Sequence, residues 1–201
     1  RVQFESQDYF ISPGNPNDSG SIRYARGTPV AGLAYKLSTS VNLYGTVGKG
    51  FETPTFAELA YRPNGASGLN FSLQPALSTN WEIGMKSRFG DWMRFNLALF
   101  HIDVTDEIVV DTNSGGRSTY KNASKTRREG LELAWDGRFG HGLEAALAYT
   151  RLDARFTQPF VTSIGTPGVP INVAAGSRLP GVPPAHRRRR PDQTPPRCRP
   201  S

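Results

Sequence analysis

The sequence has one cysteine, Cys198, close to its end, so no internal disulfide can form and small disulfide-stapled scaffolds are excluded. It has no run of about 18 apolar residues, which excludes a membrane-spanning helix; a barrel strand needs only about 9–11 alternating residues and is not excluded. No basic stretch followed by an apolar one opens it in the manner of a secretion leader.

Catalytic and metal patterns are also missing. His101, His141 and His186 are isolated from one another and show no metal-ligand spacing. No Gly-x-Ser-x-Gly elbow is present. Gly45-Thr46-Val47-Gly48-Lys49-Gly50 has glycines and a lysine, but a phosphate loop needs Ser or Thr directly after the lysine, where this chain has Gly50. Asp103, Asp106 and Glu107 cluster near a strand end without a second carboxylate group to work against, and read as a solvated terminus. The sequence therefore predicts no enzyme, no metal site and no cofactor.

Charge is unevenly placed. The formal net charge is +7, but six arginines and one aspartate fall in residues 185–201, so most of the excess belongs to that short segment. Residues 180–200 also hold seven of the sixteen prolines and the lone cysteine, a composition that predicts no membrane strand there. Residues 185–201 read as a Pro/Arg-rich tail, disordered or translated out of frame, and the body as residues 1–184. A basic arm for nucleic acid is the alternative, but Arg187 to Arg190 have no interleaved aromatics for stacking.

The body is rich in period-two alternation. Val41-Asn42-Leu43-Tyr44-Gly45-Thr46-Val47 puts Val41, Leu43 and Val47 on one face and Asn42, Tyr44 and Thr46 on the other. The same pattern recurs in Trp81–Lys86, Leu131–Asp136 and Leu143–Tyr149. Short junctions at Ser38-Thr39-Ser40, Gly90-Asp91-Trp92 and Gly140-His141-Gly142 alternate with long connections near residues 11–21, 51–77, 111–118 and 156–177. Tight turns at one end and long loops at the other suit an outer-membrane barrel, and a soluble β-sandwich binding module can show the same alternation.

Residues 92–110 and 119–139 carry little turn signal and predict strands long enough to cross a membrane and project beyond it. Phe100, Ile102 and Val104 sit on the opposite parity from Phe95, Leu97 and Leu99, which calls for a bulge or for a strand that has left the lipid. Tyr44, Trp81, Trp92, Phe95, Phe100, Trp135, Phe139 and Tyr149 near strand ends suit interfacial girdles.

The segment Gly50-Phe51-Glu52-Thr53-Pro54-Thr55-Phe56-Ala57-Glu58-Leu59 resembles the GF-x-x-P-x-x-x-E-L stretch of TonB-dependent outer-membrane receptors. Four more segments match in the family's order: Leu77–Lys86 with Glu82 and Gly84; Leu97–Phe100 with Asp106-Glu107-Ile108; Tyr120-Lys121-Asn122-Ala123 with Gly130-Leu131-Glu132-Leu133; and Arg178–Pro183 with Pro180 and Pro183.

The resemblance implies an all-β fold, an antiparallel up-and-down transmembrane β-barrel. It further implies a partial barrel of about eight strands, with long extracellular loops and short periplasmic turns. It implies location in the bacterial outer membrane, contact with outer-membrane lipid and no nucleic-acid partner. The intact receptor would take up a ferric siderophore or other metal chelate, driven by TonB through a plug domain that residues 1–201 do not resemble. Ligand contacts would come from loops, where Tyr61, Arg62, Arg117, Tyr120 and Lys121 are the candidates. A partial barrel leaves open edges, so the chain alone is not expected to form a stable transporter.

Overall fold

The computed structural model describes all residues except 9–11, 14–16, 64, 66–67, 124, 165–168, 183–185 and 189–201, with backbone alone for 186–188. Pro183 and nearly all of the Pro/Arg-rich tail lie outside the described residues.

Among the described residues thirteen strands, one short α-helix and a 3-10 turn at Gly140–Gly142 are formed: β1 (Val2–Ser6), β2 (Gly20–Tyr24), β3 (Val30–Lys36), β4 (Val41–Glu52), α1 (Phe56–Leu59), β5 (Ala76–Phe89), β6 (Met93–Thr105), β7 (Ile108–Ser114), β8 (Arg117–Asn122), β9 (Thr126–Arg138), β10 (Glu144–Phe156), β11 (Phe160–Thr162), β12 (Ile171–Val173) and β13 (His186–Arg188). Seven form one sheet in the order β13-β10-β9-β6-β5-β4-β3, every neighbouring pair being antiparallel. The other six form two-stranded hairpins β1-β2, β7-β8 and β11-β12 in the long connections. The large sheet is open, with β3 at one edge and β13 at the other, and among the described residues no second large sheet faces it as a sandwich requires.

β4, β5, β6, β9 and β10 have 12–14 residues. At about 3.3 Å per residue they reach about 43 Å, and a tilt near 45° projects this onto the roughly 30 Å of a bilayer's hydrocarbon. The three predicted short junctions close β3-β4, β5-β6 and β9-β10. The last contains His141 in a left-handed conformation (φ 64°).

Cross-strand partners share a face, so the register sorts the side chains. One face carries Leu33, Leu43, Trp81, Ile83, Met85, Phe95, Leu97, Leu99, Leu131, Leu133, Trp135, Leu147 and Tyr149. The other carries Asn42, Tyr44, Thr46, Glu82, Lys86, Arg94, Asn96, Glu132, Asp136 and Arg138. The first suits lipid and the second a wet lumen. The top of the apolar band drops one pairing row from Trp81 in β5 to Leu99 and Leu131 in β6 and β9, and one more to Tyr149 in β10, as tilted strands require.

Three expectations change. Residues 92–110 and 119–139 do not run through as single strands. The strand breaks at Asp106, whose φ is 58°, β8 ends at Asn122 before β9 begins at Thr126, and β7 and β8 pair with each other as a separate hairpin. Tyr44 and Phe100 are not girdle residues, since both lie on the lumenal face. The parity switch at Phe100, Ile102 and Val104 involves no bulge: β6 stays in unbroken register with β5 and β9, and its upper lumenal side chains are apolar. In the segment whose composition predicts no membrane strand, the backbone of His186–Arg188 pairs with Ala148–Thr150, where the β10 edge offers unpaired groups.

The buried apolar core lies in the loops. Leu59, Leu69 and Leu73 form it, with Phe4, Phe71 and Tyr120 packed against them. A sheet with lipid on one side and water on the other has no interior to fill, which accounts for a hydrophobic content of only 37%.

Candidate functional site

The site is built where the β4-β5 connection meets the β7-β8 hairpin. Pro54 is fully buried, and Thr55 caps α1. The Thr55 hydroxyl accepts from the Glu58 N–H at 3.3 Å and the Glu58 carboxylate accepts from the Thr55 N–H at 2.7 Å, a capping box. This turn drives Leu59 into the core, and the Leu59 carbonyl accepts from the Asn70 N–H at 2.7 Å, closing the loop beneath Tyr61 and Arg62. The Arg62 Nε donates to the Leu69 carbonyl at 3.1 Å. The Tyr24 hydroxyl donates to the Leu73 carbonyl at 2.7 Å, tying β2 to the same core; burial pushes this phenol's pKa up.

The facing hairpin is held at its base by Asn122. Its amide nitrogen donates to the Gln74 and Asp106 carbonyls, both at 2.8 Å, and its oxygen accepts from the Gln74 N–H at 2.8 Å. At the tip, Gly115 and Gly116 adopt positive φ (57° and 77°) and return the chain into Arg117. A bulge at Asp111 shifts the register, and Thr112 then pairs with Thr119 and Ser114 with Arg117.

Between the two elements lies a cavity of about 480 Å³. Tyr61, Arg62, Arg117, Thr112, Ser114 and Thr119 supply its polar lining. The Arg117 guanidinium sits 5.3 Å from the Tyr61 ring centroid, a cation–π contact across the cleft. The Thr112 and Thr119 hydroxyls share a hydrogen bond of 2.6 Å.

Of the five loop candidates, Tyr61, Arg62 and Arg117 come together in this cavity, while Tyr120 and Lys121 face elsewhere. Tyr120 packs on the Leu59 cluster. Lys121 pairs with Asp111 at 2.5 Å and donates to the Val161 carbonyl, joining the hairpin to β11. Thr162, also buried, donates to the Val110 and Asp111 carbonyls at 2.8 and 3.0 Å, at the same bulge. The hydroxyl lining was missed from the sequence; its signal is Thr112–Thr119, TNSGGRST, with hydroxyls on both arms of a Gly-Gly turn.

At the short-turn end a smaller cavity, about 240 Å³, is lined by Arg88, Asp91, Arg94, Asp136 and Arg138, where cations and carboxylates are interleaved. No cluster suited to hold a metal ion occurs among the described residues.

The profile of the family described as TonB dependent receptor-like, beta-barrel, matches residues 1–186. The chain belongs to the TonB-dependent receptor β-barrel family. Members of that family are outer-membrane proteins. Transferrin-binding protein A of Neisseria meningitidis serogroup B is 30% identical in an alignment 154 residues long that covers 66% of this chain and 17% of that protein.

Among solved structures, the fold is similar to the siderophore receptor PirA from Pseudomonas aeruginosa, at TM-score 0.54 and 20% identity, over 72% of this chain and 28% of that one. It is also similar to the Serratia marcescens hemophore receptor HasR, at TM-score 0.56 and 21% identity, over 80% and 30%. The chain thus spans less than a third of the length of each of these TonB-dependent relatives.

The barrel motif positions acquire physical roles. Gly50 packs against the Ser78 side chain, Phe51 pairs with Leu77 on the outer face above the apolar band, and Pro54, Glu58 and Leu59 build the capped, buried turn. Glu82 accepts from the Tyr44 hydroxyl at 2.7 Å, and Gly84 leaves room for the Tyr44 ring. Phe100 lies over Gly130, Ile108 opens β7 opposite Asn122, and Glu132 faces the lumen. Pro180 sits in the turn beyond β12.

Proposed function

We propose that this segment forms part of a receptor that takes up a ferric siderophore or similar metal chelate from the cell exterior, with energy delivered by TonB through a plug domain. Residues 1–184 serve as the barrel segment and 185–201 as a tail, of which His186–Arg188 lie along the edge of β10. The supporting observation is the cavity of Tyr61, Arg62 and Arg117, set among the long loops at the end of a sheet whose inner face is polar. Guanidinium and phenol groups suit an anionic, planar chelate through charge-assisted hydrogen bonds and stacking. The test is uptake of radiolabelled ferric chelates by cells producing the receptor that carries these residues. Accumulation that needs TonB supports the reading, and none with any chelate class overturns it.

A second reading has one observation in its favour. Phe56, Val161, Ile164, Val169 and Ile171 are exposed apolar side chains in the loops, a surface that suits a protein carrying the iron. Loss of protein-borne iron uptake, with chelate uptake intact, on replacing Val161 and Ile171 by Ser would favour it.

A further inference from the structure

We propose that the cavity between the β4-β5 connection and the β7-β8 hairpin selects its ligand by negative charge, taking a carboxylate-bearing ferric chelate, with Arg117 as the specificity-determining side chain. This rests on the chelate-uptake reading above and narrows it to one chemical class.

The inference comes from comparing the cations at this end of the molecule. Lys121 is paired with Asp111, Arg127 with Asp103 and Arg128 with Glu107. No ion pair among the described residues includes Arg62 or Arg117, and these two are the ones that line the cavity. The described lining contains no carboxylate, whereas the cavity at the short-turn end has Asp91 and Asp136 among its arginines. The described lining thus carries two cations and no carboxylate, Asp18 standing just outside it beside Gly68, while Lys121, Arg127 and Arg128 nearby are matched by their partners.

The remaining chemistry points to carboxylate oxygens. A guanidinium presents a planar fork that accepts a carboxylate in bidentate fashion, and the Tyr61 ring beneath Arg117 pre-orients that fork. Thr112, Ser114 and Thr119 add hydroxyls able to donate to further ligand oxygens. Tyr61 is the one aromatic side chain in the described lining, which gives little stacking surface for a ligand of several aromatic rings. A volume of about 480 Å³ lies within the roughly 300–1,000 Å³ of small-molecule sites.

The experiment measures binding of ferric citrate, a neutral ferric trihydroxamate and a ferric triscatecholate to the receptor carrying these residues, in outer-membrane vesicles, at low and high salt. Ferric citrate is expected to bind best and to weaken with salt. Arg117→Ala should weaken it by about tenfold or more, and Arg117→Lys should restore part of the loss. Arg117 follows the Gly115-Gly116 turn at the exposed tip of the hairpin, so its replacement leaves the loop core in place. Preferred binding of the trihydroxamate or the triscatecholate, or unchanged ferric citrate affinity in Arg117→Ala, would overturn the inference while leaving chelate uptake standing. Failure of all three chelates to bind would remove both.

Discussion

Tyr44 lies across Gly84 on the neighbouring strand: a Cβ at Gly84 would stand 2.5 Å from three atoms of the Tyr44 side chain. The ring is held there by its hydroxyl, which donates to Glu82 at 2.7 Å, with the Lys86 ammonium 5.0 Å from its centroid. The glycine is therefore a seat for an aromatic ring on the lumenal face.

Gly84→Ala should dislodge Tyr44 and lose its bond to Glu82, costing about 1–3 kcal/mol. Tyr44→Phe keeps the ring seated and should cost less. Urea unfolding of the bilayer-embedded receptor checks the order; equal stability of Gly84→Ala and the parent would refute the seat.

Gly130 is tighter. A Cβ there would collide with the Arg151 backbone carbonyl and come within 2.6 Å of the Phe100 ring. At Gly45 the nearest atoms are at 3.7 and 3.8 Å, an ordinary contact. Gly130→Ala should therefore reduce the yield of folded barrel, and Gly45→Ala should not. Heat-modifiable mobility on gels separates the two.

Asn122→Ala removes three hydrogen bonds that join the hairpin base to Asp106 and Gln74. The side chain is only part-buried, so the expected cost is about 1–2 kcal/mol, felt locally. Hydrogen exchange should quicken in residues 106–122 while β4 and β5 keep their protection.

Leu59→Ala empties the centre of the loop core and should cost the loops about 2–5 kcal/mol of local stability. Glu58→Gln keeps the capping geometry and should cost little. Proteolysis of the 53–75 connection reads the difference: faster cleavage in Leu59→Ala alone is the expected result.

The sheet was legible because strict alternation in segments such as Val41–Val47 states both faces and the register follows from the tight turns. The hairpin was not, because its departure point is Asp106 in a left-handed conformation secured by Asn122 from far along the chain, which no local pattern reveals. Residue type alone suggests girdles for Tyr44 and Phe100, whereas pairing with Gly84 and Gly130 puts them inward. The Thr55-Glu58 box was visible as a Thr-x-x-Glu spacing but lay inside what reads as irregular loop. Three of the five loop candidates meet in one cavity and two do not, because a side chain's direction in the hairpin depends on the bulge at Asp111.

If the sheet is a membrane barrel wall, its register turns Leu131 and Leu133 toward lipid and Glu132 and Ala134 toward water. Single cysteines at these four positions, in a Cys198→Ser background, can be labelled with an environment-sensitive fluorophore in the bilayer-embedded receptor. Lipid-borne quenchers should act at 131 and 133 and aqueous quenchers at 132 and 134. Equal aqueous quenching at all four positions, or the reverse alternation, would contradict it.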